Sequence, residues 1–445
     1  MKELLENYQL YQDKDLQGFL LNLECRYNIV DLTYRYSDSV NFSENTDVPF
    51  HQWFRYREGF SGNLIAELIT DSGASKNELI VDPFSGSGTT PVVAVHNGFN
   101  GLGVDVNPLS VYISNVKMHQ YTKTELMNCR NLIDSLPEHL DARVNKFHAI
   151  EKYFEIINFK ALCGLKEFID SIEDTSSKQI LMTAFLCIIE ACSNRRRDGN
   201  GLKTVFTKVS NVRDYFLRKV EEILCDLEST LSTNLGNGIC VTESATKLYS
   251  IYNNINRDKG LKVGTIIFSP PYPNSFDYFE SYKLELIFGE FANNVKGIDK
   301  FRKQAVRSFI NASDQYESEK YINRLASEIE IAIPLKEAET GKKDIRTRKV
   351  PNMIKGYFYD MQEIIRQCEL CLEKGRKTYI VVDQSSYVGV IVPTDLLLAY
   401  LAEQVGFKVE QIIKCRKCRT STQQLNRFPY LKNALRESIV VLVKE

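Results

Sequence analysis

Apolar residues along the chain change period several times, and those changes lay out the architecture. Leu79-Ile80-Val81 is a short β-branched run, as in an inner parallel strand buried on both faces. A glycine-bearing turn follows at Asp82–Gly88, and Thr89 and Thr90 open a helix that continues through Val92–Val95. Upstream, Ser61 is placed to cap a helix whose apolar positions are Leu64, Ile65, Leu68 and Ile69. Gly101–Asp105 reads as a second strand. From about Lys123 to Thr230 the pattern is helical throughout. Strand pattern returns near residues 238, 264, 377, 408 and 438, with helices at Tyr359–Leu372 and Asp395–Gly406 between them. Strands alternating with helices predict an α/β sheet of seven strands, interrupted by a helical insertion. The chain divides into an N-terminal arm with the first half of the sheet (1–122), a helical insertion (123–235), a return to the sheet (236–288), a basic polar insertion (289–350) and the last part of the sheet (351–445). Residues 1–50 show no readable motif.

Composition changes this picture little. The chain is 43% hydrophobic and 25% charged with a net charge of −1, ordinary for a globular protein, so any nucleic-acid surface must be a local patch. No apolar run approaches ~18 residues, so no membrane span is expected. The first residues lack the apolar core of a signal peptide. Eleven scattered cysteines then fit reduced thiols in a cytosol. Cys368/Cys371 and Cys415/Cys418 have C-x-x-C spacing. The first pair falls on the apolar face of a helical pattern, where cysteine serves as a small hydrophobe, and no metal site is expected.

The turn Asp82-Pro-Phe-Ser-Gly-Ser-Gly-Thr-Thr90 carries candidate chemistry. No lysine follows Gly88, so it is not a triphosphate-binding loop, nor is it a clean G-x-G-x-x-G. Gly86 and Gly88 let the backbone bend tightly beside a ligand. Asp82 at the strand end suits a cationic or polar ligand. Asp105 ends the second strand roughly 20 residues past the glycine turn, where an acid holds a ribose diol; the plainer role is to cap the Asn107-Pro108 turn. The strand Gly264–Phe268 runs into Ser269-Pro270-Pro271-Tyr272. Two prolines fix the backbone and remove two donors, leaving carbonyls free to accept, with an aromatic ring beside them. Such a loop suits a planar group bearing an exocyclic amine; standing alone, it would be a rigid turn. Basic candidates for phosphate contact are Arg195, Arg196 and Arg197, read as a loop after a buried helix, then Arg346 and Arg348 in the polar insertion, and Arg416 in a polar segment running to Arg427. Solvated surface is the alternative for each.

The two motifs in this relation resemble the cofactor and catalytic motifs of the amino-methylating DNA methyltransferases, the cytosine-N4 and adenine-N6 enzymes. The resemblance spans about residues 51–110 and 238–445. It implies a Rossmann-like sheet with a final antiparallel strand, and S-adenosylmethionine as methyl donor. By it, Asp82, Ser85, Gly86 and Gly88 surround the methionine part of the cofactor, and Pro83, Phe84 and Thr89 of the same turn are cofactor-binding. Asp105 holds the ribose hydroxyls, with Asn107 a further cofactor-binding residue; Glu243 and Ser244 lie near the adenine, and the arm with Phe60 and Ser61 closes the pocket. Ser269, Pro270, Pro271 and Tyr272 form the catalytic loop. Tyr272 would stack on a base flipped out of double-stranded DNA, while the Ser269 hydroxyl and Pro270 carbonyl accept from its amine. Serine in the first position goes mostly with cytosine N4. The setting implied is a prokaryotic cytoplasm, in a restriction-modification system with a cognate endonuclease. The alternatives are adenine-N6 methylation, methylation of an RNA amine, and a non-enzymatic nucleic-acid-binding protein of the same fold.

Overall fold

The computed structural model describes residues 7–8, 10–56, 59–140, 142, 146–198, 201–207, 209–257, 259–274, 276–310, 318–418 and 422–445. At its centre is one eight-stranded sheet. Its strands are β1 (Ile29–Asp31), β2 (Leu79–Asp82), β3 (Asn100–Asp105), β6 (Gly238–Thr242), β7 (Val263–Phe268), β8 (Leu372–Asp383), β11 (Phe407–Lys417) and β12 (Arg436–Lys444), in the order β1-β11-β12-β8-β7-β2-β3-β6. β2, β3, β6, β7 and β8 run parallel, whereas β12 is antiparallel to both β8 and β11. This is a Rossmann-like α/β sheet with an antiparallel strand near one edge.

Seven of these strands lie where the apolar periods placed them. The eighth, β1, pairs parallel with β11 through Ile29, Val30 and Asp31. Three residues are too few for a visible alternation, so sequence pattern could not separate it from a loop.

Alternate residues of each strand feed opposite layers. Leu79 and Val81 enter one core and Ile80 the other; Ile266 and Phe268 oppose Ile267 in the same way. Helix α1 (Lys14–Arg26) precedes β1, and on one side of the sheet helix α2 (Gly62–Ser72) covers it with Leu64, Ile65, Leu68 and Ile69. Its N-cap is Ser61, and it ends on Gly73 in the left-handed region.

Helix α3 (Thr89–His96) follows β2, and α4 (Pro108–Met118) follows β3. The helical block comprises α5 (Lys123–Asp134), α6 (Ile156–Asp170), α7 (Thr175–Cys192) and α8 (Val212–Ser229). Its core is continuous with that of the sheet helices: Leu162, Phe185 and Phe216 share a cluster with Val92, Leu109 and Trp53. Asp226 of α8 accepts from the Phe50 amide and the Trp53 indole, which ties the N-terminal arm to the block. Phe288, at the end of α9 (Lys283–Phe288), packs among Phe147, Phe154, Phe159 and Phe185.

Two expectations change. The arginine segment is not a simple loop: β4 (Arg195–Asp198) and β5 (Gly201–Thr204) pair antiparallel, as do β9 (Ser385–Tyr387) and β10 (Val390–Val392) after β8. The polar stretch after residue 289 contains α10 (Lys320–Thr340), which buries Ile322, Leu325, Ile329 and Ile333 against α11 (Val350–Cys371). Most of its charges lie on the outer side of an amphipathic helix, but Glu328 is buried and accepts from the Gln12 and Asp13 amides. Cys368 and Cys371 lie in the core on one side of the sheet and Cys415 in the core on the other. Among the described residues no helix is long and apolar enough to cross a membrane.

Candidate active site

The C-terminal ends of β2, β3, β6 and β7 converge on a cleft that opens to solvent. In parallel α/β sheets this edge is where ligands bind, because strand ends and helix N-termini face it together. The β2–α3 turn forms its base. Gly86 and Gly88 have φ of 50° and 90°, which disfavour a side chain. A Cβ on Gly86 would lie 2.7 Å from the Tyr56 ring, and one on Gly88 would lie 2.6 Å from Ser114 Oγ.

The turn is fastened from both sides. The Ser85 amide donates to the Val104 carbonyl at 3.0 Å. From α4, Ser114 donates to the Gly86 carbonyl at 3.2 Å and Lys117 Nζ to the Ser87 carbonyl at 3.0 Å. Lys117 is buried, and desolvation pushes its ammonium down to about 8. No spacing in the sequence separates it from an ordinary helix-end lysine.

Asp105 is oriented by backbone. The Gly86 amide donates to one carboxylate oxygen and the Asn107 amide to the other, each at 2.8 Å. Burial pushes the carboxyl up to about 6 against those two bonds. A carboxylate offers about four acceptor positions, so two remain for hydroxyls in the cleft that Asp105 lines. Glu243, whose amide donates to the Asp105 carbonyl at 3.1 Å, and Ser244 line the next part of the wall. The Ser244 amide, followed by Lys247, holds the Glu243 carboxyl below its ordinary range. Ser269, Pro270 and Pro271 line the cleft from the end of β7, and Pro83, Phe84 and Asn107 complete the set of anticipated residues that reach it.

The remaining anticipated residues stand behind the surface. Asp82 is buried, and its carboxylate accepts from the Phe84 amide at 2.8 Å. Burial pushes it up to about 7, helped by the charge of Asp105. It shapes the turn rather than facing the cleft. Ser85 and Thr89 are likewise buried in the turn. Phe60 and Ser61 do not line the cleft: Phe60 packs in the core with Leu64 and Ile65, and the Ser61 side chain caps α2. The arm reaches the cleft through Tyr56 instead. The sequence marked the arm as aromatic but could not say which ring turns inward. Tyr278, Phe279 and Phe309, which no motif marked, form the opposite wall.

Residues 31–116 match the family model described as DNA methylase. The chain is 26% identical to the type II methyltransferase M.BsoBI of Geobacillus stearothermophilus, over 95% of this chain and 92% of that protein. It is also 26% identical to M.AvaI of a Nostoc species, over 84% and 82%. A shorter match, 31% over 28% of this chain, is to M.MjaII of Methanocaldococcus jannaschii. Over most of its length, then, the chain is similar to DNA methyltransferases, and its cofactor-turn region matches the amino-methylating DNA methylase model.

The arginine candidates separate. Arg197 is buried, ion-paired with Glu190 at 2.8 Å and with Glu285, and lies 4.3 Å from the Tyr282 ring centre. It is no phosphate contact: its charge is neutralised inside the protein. Side chains alternate across a strand, so Arg196 beside it is exposed. Arg195 bonds the Thr204 hydroxyl at 2.8 Å and lies over Tyr153. Arg416 is half-buried and engaged by Glu437, while Arg348 is exposed and paired with Glu337. Arg346 is exposed.

Tyr272 is half-buried against the core and does not line the cleft; its hydroxyl bonds Ser269 and Glu437.

Proposed function

We propose that this protein transfers a methyl group from S-adenosylmethionine to the exocyclic amine of a base flipped out of double-stranded DNA, with cytosine N4 as the acceptor. The observation that carries the reading is the meeting of Asp105 and the Ser269-Pro270-Pro271 loop in one cleft. One is an acid suited to a ribose diol, and the other a rigid set of acceptors suited to an amine.

The residues present fit the donor. Asp105 keeps acceptor capacity for two hydroxyls, Glu243 and Ser244 offer polar contacts for an adenine edge, and Phe84 with Pro83 gives an apolar wall. When bound, S-adenosylmethionine supplies a methyl already activated on a sulfonium. The protein's share is then positioning. The Ser269 hydroxyl and Pro270 carbonyl take the amine hydrogens and aim the nitrogen lone pair into the cleft. Extruding the base costs a few kcal/mol, and Tyr272, behind the cleft wall, holds the Ser269 hydroxyl in place. Arg195, Arg196 and Arg346 are the candidate backbone contacts, and Arg348 joins them if DNA displaces Glu337. A type II restriction endonuclease reading the same site is the partner this function calls for.

Incubation with methyl-tritiated donor and unmodified genomic DNA, followed by digestion to nucleosides, tests the reading. N4-methylcytosine is expected. N6-methyladenine moves the target to the other base of the family, and label in transfer RNA but not DNA overturns the DNA assignment.

A further inference from the structure

The Ser269 hydroxyl donates to the Tyr272 hydroxyl at 3.2 Å, and Tyr272 donates to Oε1 of Glu437 at 3.2 Å. Both bonds run the same way, from a residue that lines the cleft to a buried carboxylate that does not. Glu437 is held in a costly place. In strand register Arg416, Glu437 and Asp383 form a row across β11, β12 and β8. Like charges directly opposite on antiparallel strands destabilise the pair, and burial worsens this by removing solvent.

The other groups facing Glu437 do not cancel that cost. Arg416 engages its second oxygen, and Cys418 donates its thiol to Asp383 at 3.0 Å. Cys415, on the same strand as Arg416, is buried and neutral, its thiol pushed up by burial. One cation therefore faces two carboxylates, and Asp395, itself paired with Arg436, adds to the repulsion at Asp383. Burial first, then the neighbouring acid for Glu437, raises both carboxyls above the ordinary carboxylate range. Such a pair takes up one proton at little cost.

We infer that the Glu437–Asp383 pair is the proton sink of the methyl-transfer reaction, reached from the substrate amine through Ser269 and Tyr272. This rests on the amine-methylation reading. As the nitrogen–methyl bond forms and the sulfonium–methyl bond breaks, its electron pair stays on sulfur and the nitrogen must lose one proton. That proton passes to Ser269 Oγ as the Ser269 proton moves to Tyr272 Oη and the Tyr272 proton to Glu437. The carboxylate becomes a carboxylic acid, and no other reactant is consumed. Asp383 and Arg416 are half-buried, which leaves a route for the proton to return to water after product leaves. Ser269 is the catalytic residue here; Tyr272 and Glu437 act through it.

The test is the pH dependence of turnover by the full-length protein on unmodified genomic DNA. Wild type is expected to lose kcat as pH falls through the titration of the pair. Glu437→Gln keeps the shape and can accept from Tyr272 but cannot take a proton. It should lower kcat about tenfold or more, leave the KM for the methyl donor unchanged, and abolish the acid limb. Tyr272→Phe keeps the ring and breaks the chain, with the same result expected. Asp383→Asn leaves the chain intact and removes the opposing charge, so the limb should move to lower pH, a shift that lost packing would not produce. Glu437→Gln or Tyr272→Phe with wild-type kcat and an unchanged limb overturns the relay while the methyltransferase reading stands. Should thermal melting show that Glu437→Gln does not fold, Tyr272→Phe decides. Wild-type protein that binds the donor and methylates no DNA removes the reading and the relay together.

Discussion

The two halves of the sheet's C-terminal edge are built on opposite electrostatic plans. Around β2 and β3 the acids are held chiefly by backbone: Asp82 by the Phe84 amide, with the Thr90 side chain beside it, and Asp105 by the amides of Gly86 and Asn107. Around β8, β11 and β12 the acids face one another across a strand pair, and side chains satisfy them: Tyr272, Arg416 and Cys418. Backbone donors cannot leave, so the first half is a fixed socket. Side-chain donors can exchange protons, so the second can change state within a turnover. The difference predicts that binding and turnover can be damaged independently.

The largest effect should fall on turnover. Tyr272→Ala removes the ring and the hydroxyl together and is expected to cut methyl transfer by on the order of a hundredfold or more, the scale of losing a preorganised polar contact at a reacting centre. Calorimetry should still show donor binding; an active variant sinks the role given to this residue. The converse is Asp105→Ala, which should weaken donor binding by roughly a hundredfold, from two hydrogen bonds to a charged acceptor at about 1.5 kcal/mol each, with the melting temperature little changed. Unchanged affinity would remove its ribose role and the division drawn between the halves.

A smaller effect tests the rigidity of the socket. Gly88→Ala places a Cβ 2.6 Å from Ser114 Oγ at a φ of 90° and should cost about 2 kcal/mol of stability, read by denaturant titration. The smallest effect comes from pH. Asp82 and Asp105 are pushed up to about 7 and about 6, so the folded chain holds protons that the unfolded chain has released between pH ~4 and ~7. Their contribution to stability is therefore present at the acid end of that window and lost as pH rises. The ligand-free protein should melt higher at about pH 5.5 than at about pH 7.5, and Asp82→Asn should flatten part of the slope. A slope of the opposite sign would show that these acids are ionised in the folded state.

Legibility followed the same division. Asp82–Thr90 and Ser269–Tyr272 are contiguous, and each makes its local shape from its own glycines or prolines, so both could be read directly. Asp105 was readable because a parallel strand returns it to the turn after a single helix. Glu437 lies 165 residues from Tyr272 and meets it only through sheet order; Arg436-Glu437-Ser438 is otherwise an unremarked strand start. The three arginines misled for a geometric reason. Read as a loop they are equivalent, but in a hairpin neighbours face opposite ways, and Arg197 turns inward to Glu285. Tyr56 was visible as part of an aromatic arm, though its contact with Gly86 depends on how Asp226 anchors Phe50 and Trp53.

The short strand β1 has a consequence for synthesis. Ile29 pairs with Ile412, and β12, which joins β11 to β8, ends at Lys444. A nascent chain therefore carries β1 and the completed β2–β3–β6–β7 half past the ribosome with one sheet edge unclosed until the last strands emerge. Contacts of such long sequence separation form late and slowly. The half proposed to hold the donor can assemble early, whereas Glu437 and Asp383 come together only when the sheet closes, so the proposed proton-accepting pair is assembled last.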